Sequence, residues 1–204
     1  ALEIRPNTPE YLQLRSFIEG ARITKSLSNR DRPLTAEEVD DAFLAKGEAD
    51  LLTVIAPNSA EGHFLGGQIY AALAEETDAF GFGSVDPIMA DRSESALRRA
   101  AELDPDNAFV LVRLAQLEGA RGNRASAIET VERALSVEAD SKWALLWKGI
   151  LRWQRYVMEE DPQDAEAARA AMERAIEIDP RFDLAWLNLA TTRIHYPEFE
   201  DLPQ

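Results

Sequence analysis

The chain has 204 residues, 46% apolar and 29% charged, with a formal net charge of −15. That mixture supplies a hydrophobic core and argues against wholesale disorder, while the acidic excess repels phosphate and argues against nucleic acid or anionic membrane surfaces as partners. Cysteine is absent, which excludes disulfides, thiolate metal sites and cysteine nucleophiles and leaves the compartment open between cytoplasm and periplasm.

No apolar run approaches the roughly 18 residues that a membrane-spanning helix needs, so membrane insertion is not expected. The first residue is Ala1 rather than Met. The reading is therefore that a signal peptide, or a whole upstream region, has been removed.

Taken in chain order, residues 1–6 read as the end of a helix. An apolar stripe of Tyr11, Leu12, Leu14, Ile18 and Ile23 predicts a helix over 9–27. Ser28 to Pro33 is a loop. Thr35 and Glu38 have the spacing of a capping box, which opens a helix reaching about Ile55. A helix over 59–77 follows, then a glycine-rich connection from Ala79 to Val85, then a helix over 87–103. Helices over 108–121 and 124–137 flank the Gly122-Asn123 turn. A long helix covers 141–158 and breaks at Glu159-Glu160-Asp161-Pro162, where Asp161 is the expected cap and Pro162 the first helical residue. Helices over 163–178 and 183–195 complete the series. Tyr196-Pro197 stops the last one, and 197–204 reads as an irregular acidic tail.

Beneath this series lies a repeat. Ala1-Leu-Glu-Ile-Arg-Pro6, Leu52-Thr-Val-Ile-Ala-Pro57, Ala100-Ala-Glu-Leu-Asp-Pro105 and Ala175-Ile-Glu-Ile-Asp-Pro180 end alike, and Ala134-Leu-Ser-Val-Glu-Ala139 lacks only the proline. Pro105 and Ala139 stand 34 residues apart, and the other steps are longer. Small residues recur in the first helix of each pair, at Gly67, Ala115, Gly149 and Ala190. Ala127, Ala134, Ala168 and Ala175 recur in the second helices. Small surfaces at matched places let two helices approach closely. Proline after the second helix ends it, because it lacks a donor and clashes with the preceding turn. One hairpin cannot bury its own apolar stripe, so neighbouring hairpins must stack.

These residues resemble the tetratricopeptide repeat (TPR), whose unit is a helix hairpin of about 34 residues. Leu111, Leu114 and Ala115 stand where the family places Trp, Leu and Gly, and Ala127, Val131 and Ala134 follow at its second-helix contacts. Trp186-Leu-Asn-Leu189-Ala190 matches the opening of the unit, and Gly67-Gln-Ile-Tyr70 matches its G-x-x-Y step. The resemblance implies an all-α solenoid of stacked antiparallel hairpins, coiled as a right-handed superhelix. It reads as a single array over 1–204, with units at 9–59, 60–107, 108–141, 142–182 and a partial 183–196. A looser likeness over 9–180 is to irregular TPR regions beside bacterial adenylate-cyclase or winged-helix regulator domains. It rests on the helix from Pro9 to Arg22 and on the insertion in the next hairpin. No such activity transfers, because neither domain is in this chain.

In the family, first helices line a concave face that binds other proteins. Carried over by position, that face holds Phe64, Gln68, Phe109, Val112, Gln116, Trp143, Leu146, Ile150, Trp153, Leu187 and Thr191, with Arg113 and Trp147 at its margin. The groove is apolar and aromatic, the kind of surface on which a few buried anchors concentrate binding energy. The expected function is a non-enzymatic scaffold for a peptide or helix, as a regulatory part of a larger protein. The alternative is a sensor or transport-accessory domain for a small apolar ligand. A chaperone-tail clamp of Lys and Asn is replaced by Phe64, Gln68, Val112 and Gln116.

Tryptophans at helical spacing also suit a core, and the long 141–158 helix needs cover for its added turns. His63 and His195 fall on different units and read as surface or packing residues. Asp104-Pro-Asp-Asn107 lacks the glycine and distal glutamate of a calcium loop. The carboxylates at Glu75, Glu76 and Asp78, and at Glu159 to Asp161, read as solvated edges. Phe80-Gly-Phe82-Gly83 reads as a connection or a contact loop, with no lysine and hydroxyl residue to cradle phosphate. No catalytic residue, cofactor or metal is expected. Self-association through the two array ends is an open expectation, with Phe199 and Leu202 of the tail as covers.

Overall fold

A computed structural model describes residues 43–44, 46–47, 50–51, 53–77, 83–85 and 87–195. The expectations for residues 1–6, the 9–27 helix, the Thr35 box, Asp78 to Phe82 and the tail lie outside these residues. The chain divides into two compact units, 1–105 and 106–204.

In the first unit, residues 43–55 are helical where described, and a turn at Pro57-Asn58 leads to α1 (Ala60–Ala74). Ser59 caps that helix, its Oγ accepting from the Gly62 N–H at 3.1 Å. α1 packs against α2 (Pro87–Leu103). The crossing is tight at Gly67, where a Cβ would lie 2.7 Å from Leu97 Cγ. Beside it Ser93 donates from its buried hydroxyl to the Gly67 carbonyl at 2.8 Å.

Between these helices the chain departs from the sequence expectation. The helix expected over 59–77 ends at Ala74, and β1 (Glu75–Thr77) pairs antiparallel with β2 (Gly83–Val85), Glu76 opposite Ser84. Alanine and glutamate favour a helix by propensity. The cross-strand ladder instead pairs the backbone groups past Ala74, and threonine and valine at 77 and 85 are residue types that favour strands. The described residues are otherwise all-α.

The second unit holds α3 (Ala108–Ala120), α4 (Arg124–Val137), α5 (Lys142–Glu159), α6 (Pro162–Ile178) and α7 (Asp183–His195). Start signals in the sequence act where they stand. Asn107 accepts from the Val110 N–H at 3.2 Å. Asp161 accepts from the Gln163 N–H at 3.0 Å, with Pro162 as the first helical residue. Gly122 takes a positive φ of 84° and lets the Asn123 N–H reach back to the Glu118 carbonyl at 2.8 Å.

Consecutive helices pack as antiparallel pairs, and α3 also touches α5, as α5 touches α7. That second set of contacts is how stacked hairpins share one interior. Leu111, Ala115, Ala127, Val131, Ala134, Ala168 and Ala175 are all buried, as the repeat positions require. At Gly149 a Cβ would lie 2.6 Å from Met172 Cγ and 3.1 Å from the Ala168 carbonyl, so only glycine allows this approach. Ala190 differs from its counterparts. It is exposed, as is Trp186 beside it, because among the described residues no helix packs on that side of α7.

An ion-pair ladder ties α4, α5 and α6 together. Glu132 meets Lys148 at 3.0 Å and Arg152 at 3.3 Å. Arg152 and Arg155 then converge on Asp164, which is only 1% exposed, at 3.0 and 2.5 Å. Burial pushes the Asp164 carboxyl upward, but the hydrogen bonds from Arg155 and Arg152 outweigh it and hold the group below its ordinary range.

Candidate functional site

The start of α5 places Lys142 and Trp143 beside the end of α6, and the first turn of α3 presents Phe109 towards them. Together with Val112, Glu138, Asp140, Ser141 and Ile178 they line a depression of about 330 Å³. Its walls are apolar on the α3, α5 and α6 sides, and the Glu138–Ser141 turn between α4 and α5 supplies a polar lip.

Trp143 is held in place from behind. Its ring meets the buried Phe182 ring edge-on, with centroids 4.8 Å apart and planes at 74°. Lys142 Nζ lies 5.0 Å above the same Phe182 ring and 2.6 Å from Asp179 Oδ2. The hydrogen bond from Lys142, then that from the Arg181 N–H, holds the Asp179 carboxyl below its ordinary range. The lysine charge at this depression is therefore already neutralised.

The residues singled out by sequence divide by depth. Phe109 is 54% exposed and Trp143 39%. Leu187 and Thr191 are exposed on α7, outside the depression. Arg113, Gln116, Trp147, Ile150 and Trp153 are half-buried, with Arg113 donating to Gln116 at 2.6 Å and the Trp153 ring tilted at 40° to that of Tyr156, centroids 5.4 Å apart. Val112 and Leu146, each 2% exposed, belong to the interior. Leu146 packs in a core cluster with Leu145, Ala175, Phe182 and Ala185. Phe64 and Gln68 are half-buried in the first unit.

So Phe109, Val112 and Trp143 come together in one depression. Lys142, Ile178, Phe182 and the Glu138–Ser141 turn are contributors that the sequence reading did not select. Phe182 lies two residues beyond Asp179-Pro180, in a turn, where helical periodicity assigns no face. The Lys142-Trp143 pair after an inter-helix turn was the available signal for the rest.

Among the described residues, no group of three His, Cys, Asp or Glu could hold a metal ion. His63 Nε2 bonds to the Pro57 carbonyl at 2.9 Å, a local turn contact. No helix among these residues is long and apolar enough to cross a membrane.

No curated protein matches the chain. Residues 163–182 match a model of the tetratricopeptide repeat. Solved structures with a similar fold include TTC0263, a thermophilic TPR protein of Thermus thermophilus. It is 17% identical with a TM-score of 0.65, over 95% of this chain and 85% of that one. MamA is 15% identical with a TM-score of 0.63, over 93% and 85% of the two chains. PilW, a type IV pilus biogenesis factor, is 17% identical with a TM-score of 0.62, over 93% and 80%. At these identities the likeness is one of fold. With its repeat match over α6 and its stacked helix hairpins, the chain has the fold of tetratricopeptide-repeat proteins.

Proposed function

We propose that this chain is a non-enzymatic interaction module that holds a segment of another protein by an apolar anchor seated between Phe109 and Trp143. The observation that carries the reading is the pairing of two exposed aromatic side chains from successive first helices around one depression. Large apolar side chains left in solvent cost stability, and clustering them in a concave place suits a surface that a partner covers. Trp143 is also pre-set by its contact with Phe182, so little side-chain freedom is lost on binding. TPR proteins are in general scaffolds.

Panning a phage-displayed random peptide library on the whole chain tests the reading. Binders should lose at least about tenfold in affinity on Phe109→Ala and on Trp143→Ala, the size expected when an interface anchor is removed. The helical circular-dichroism signal should stay unchanged. Binders indifferent to both substitutions, or no binders at all, would reject the site.

The second reading, a small apolar ligand held in the same place, draws on the volume, which falls at the lower end of the roughly 300–1,000 Å³ usual for ligand pockets. A thermal-shift screen separates the two, since a bound metabolite raises the melting temperature without any peptide.

A further inference from the structure

We infer that the occupant of this depression is a peptide segment in which a large apolar side chain stands next to lysine or arginine. The inference rests on the reading of the depression as a peptide site and adds the chemistry of the partner.

The argument starts from charge. Three cations stand at this edge, and two of them are held in ion pairs. Lys142 is bound to Asp179 at 2.6 Å. Arg174 on α6 reaches Asp140 at 2.9 Å and Glu177 at 2.8 Å. Glu138, exposed on the lip, is a fourth carboxylate. Arg181, whose charge also acts on Asp179, is the third cation, so four carboxylates against three cations leave the edge one charge negative. Arg113, on the next turn of α3, donates to Gln116 and is not among the lining residues.

Geometry then sets the spacing. Glu138 and Asp140 line the same depression as Phe109, Trp143 and Ile178. A guest whose apolar side chain fills the space between the aromatics brings its neighbouring residue to the acidic lip. Lysine or arginine there gains attraction chiefly to Glu138, since Asp140 already holds Arg174. Arginine gains further, because its planar guanidinium stacks on an aromatic face such as that of Trp143. An acidic neighbour meets like charge, which is how a rim of one sign rejects wrong partners. The net charge of −15 on the whole chain acts in the same direction at longer range, speeding encounter with a basic segment at low salt.

The experiment uses the phage-displayed random peptide library on the intact chain and reads the composition of the enriched peptides. Expected is an apolar or aromatic residue next to Lys or Arg. Synthetic copies of these peptides should weaken about tenfold on Glu138→Lys and on Asp140→Lys, and also when salt rises from about 0.05 M to about 0.5 M. Both positions are exposed, so the charge reversals leave the fold intact, which circular dichroism verifies. Binders with neutral or acidic flanks that still require Trp143 or Phe109 would overturn this inference and keep the groove. So would binders indifferent to charge reversal at both lip positions. Absence of any binder sensitive to Phe109→Ala or Trp143→Ala would overturn both.

Discussion

The Trp143 ring stands edge-on to Phe182 at 4.8 Å, which joins the exposed wall of the depression to the core between α5 and α6. Stability and binding are thereby carried by different residues of one aromatic group. Phe182→Ala opens a cavity in the core and should cost about 3–5 kcal/mol, while it also loosens Trp143. Phe109→Ala removes a side chain that is mostly in solvent and should cost less than about 1 kcal/mol. Urea unfolding of the two variants measures this separation. Equal losses would mean that Phe109 is a core residue after all, and that the depression has one wall fewer.

Gly149 sets the distance between α5 and α6. A valine there meets Met172, itself almost fully buried, and the Ala168 carbonyl on the facing helix. Leaving glycine restores about 1 kcal/mol of helix propensity at most, and overpacking of a filled core costs about 1–3 kcal/mol or more. Gly149→Val should therefore destabilise by about 2 kcal/mol. In a chain of this size that lowers the melting temperature by about 4–8 °C. The double change with Met172→Ala should recover part of the loss, because the two side chains compete for one space.

How far the sequence carried this picture depends on what each residue does locally. Asn107, Asp161 and Pro162 are start signals that act within one turn, and the helices begin there. The alanines at 115, 127, 134, 168 and 175 are small because a neighbouring helix sits on them, and the repeat spacing exposes that requirement. Leu146 and Phe109 both fall on first-helix faces, yet one is core and the other solvent-exposed. Helical periodicity fixes direction around an axis, not the depth at which the next hairpin crosses. Phe182 and the lip residues sit in turns, where only the packed structure decides the facing. The β1–β2 ribbon depends on pairing across a connection, which no propensity along Ala71 to Thr77 encodes.

Tyr70 is a titratable group whose surroundings make a prediction. Its hydroxyl donates to Asp50, and Lys46 and Arg92 approach its ring at 6.0 and 5.7 Å. Burial, then the hydrogen bond to Asp50, raises the phenol above its ordinary range. A raised value means that the protonated form is favoured by folding. Its stabilisation is therefore whole below about pH 10 and is lost as pH climbs through the folded value. Tyr70 should ionise late in an ultraviolet titration, and Tyr70→Phe should remove that late phase. A late phase that survives the substitution would assign it elsewhere.

Asp164 gives the opposite sign. It is buried, and the guanidinium groups of Arg155 and Arg152 keep it ionised below its ordinary range. A depressed value means that folding favours the charged form. Its stabilisation is therefore present above the unfolded value of about 3.9 and fades as pH falls through the folded one. Asp164→Asn removes the carboxylate and leaves two guanidiniums facing an amide. Breaking a buried pair costs about 3–5 kcal/mol, and the partial exposure of both arginines brings the expected loss nearer to about 2–3 kcal/mol. The gap in unfolding free energy between the natural chain and Asp164→Asn should be full at neutral pH and narrow steadily below about pH 4. A gap that stayed constant into strong acid would mean that packing, and not the charge, is what Asp164 contributes to the α5–α6 seam.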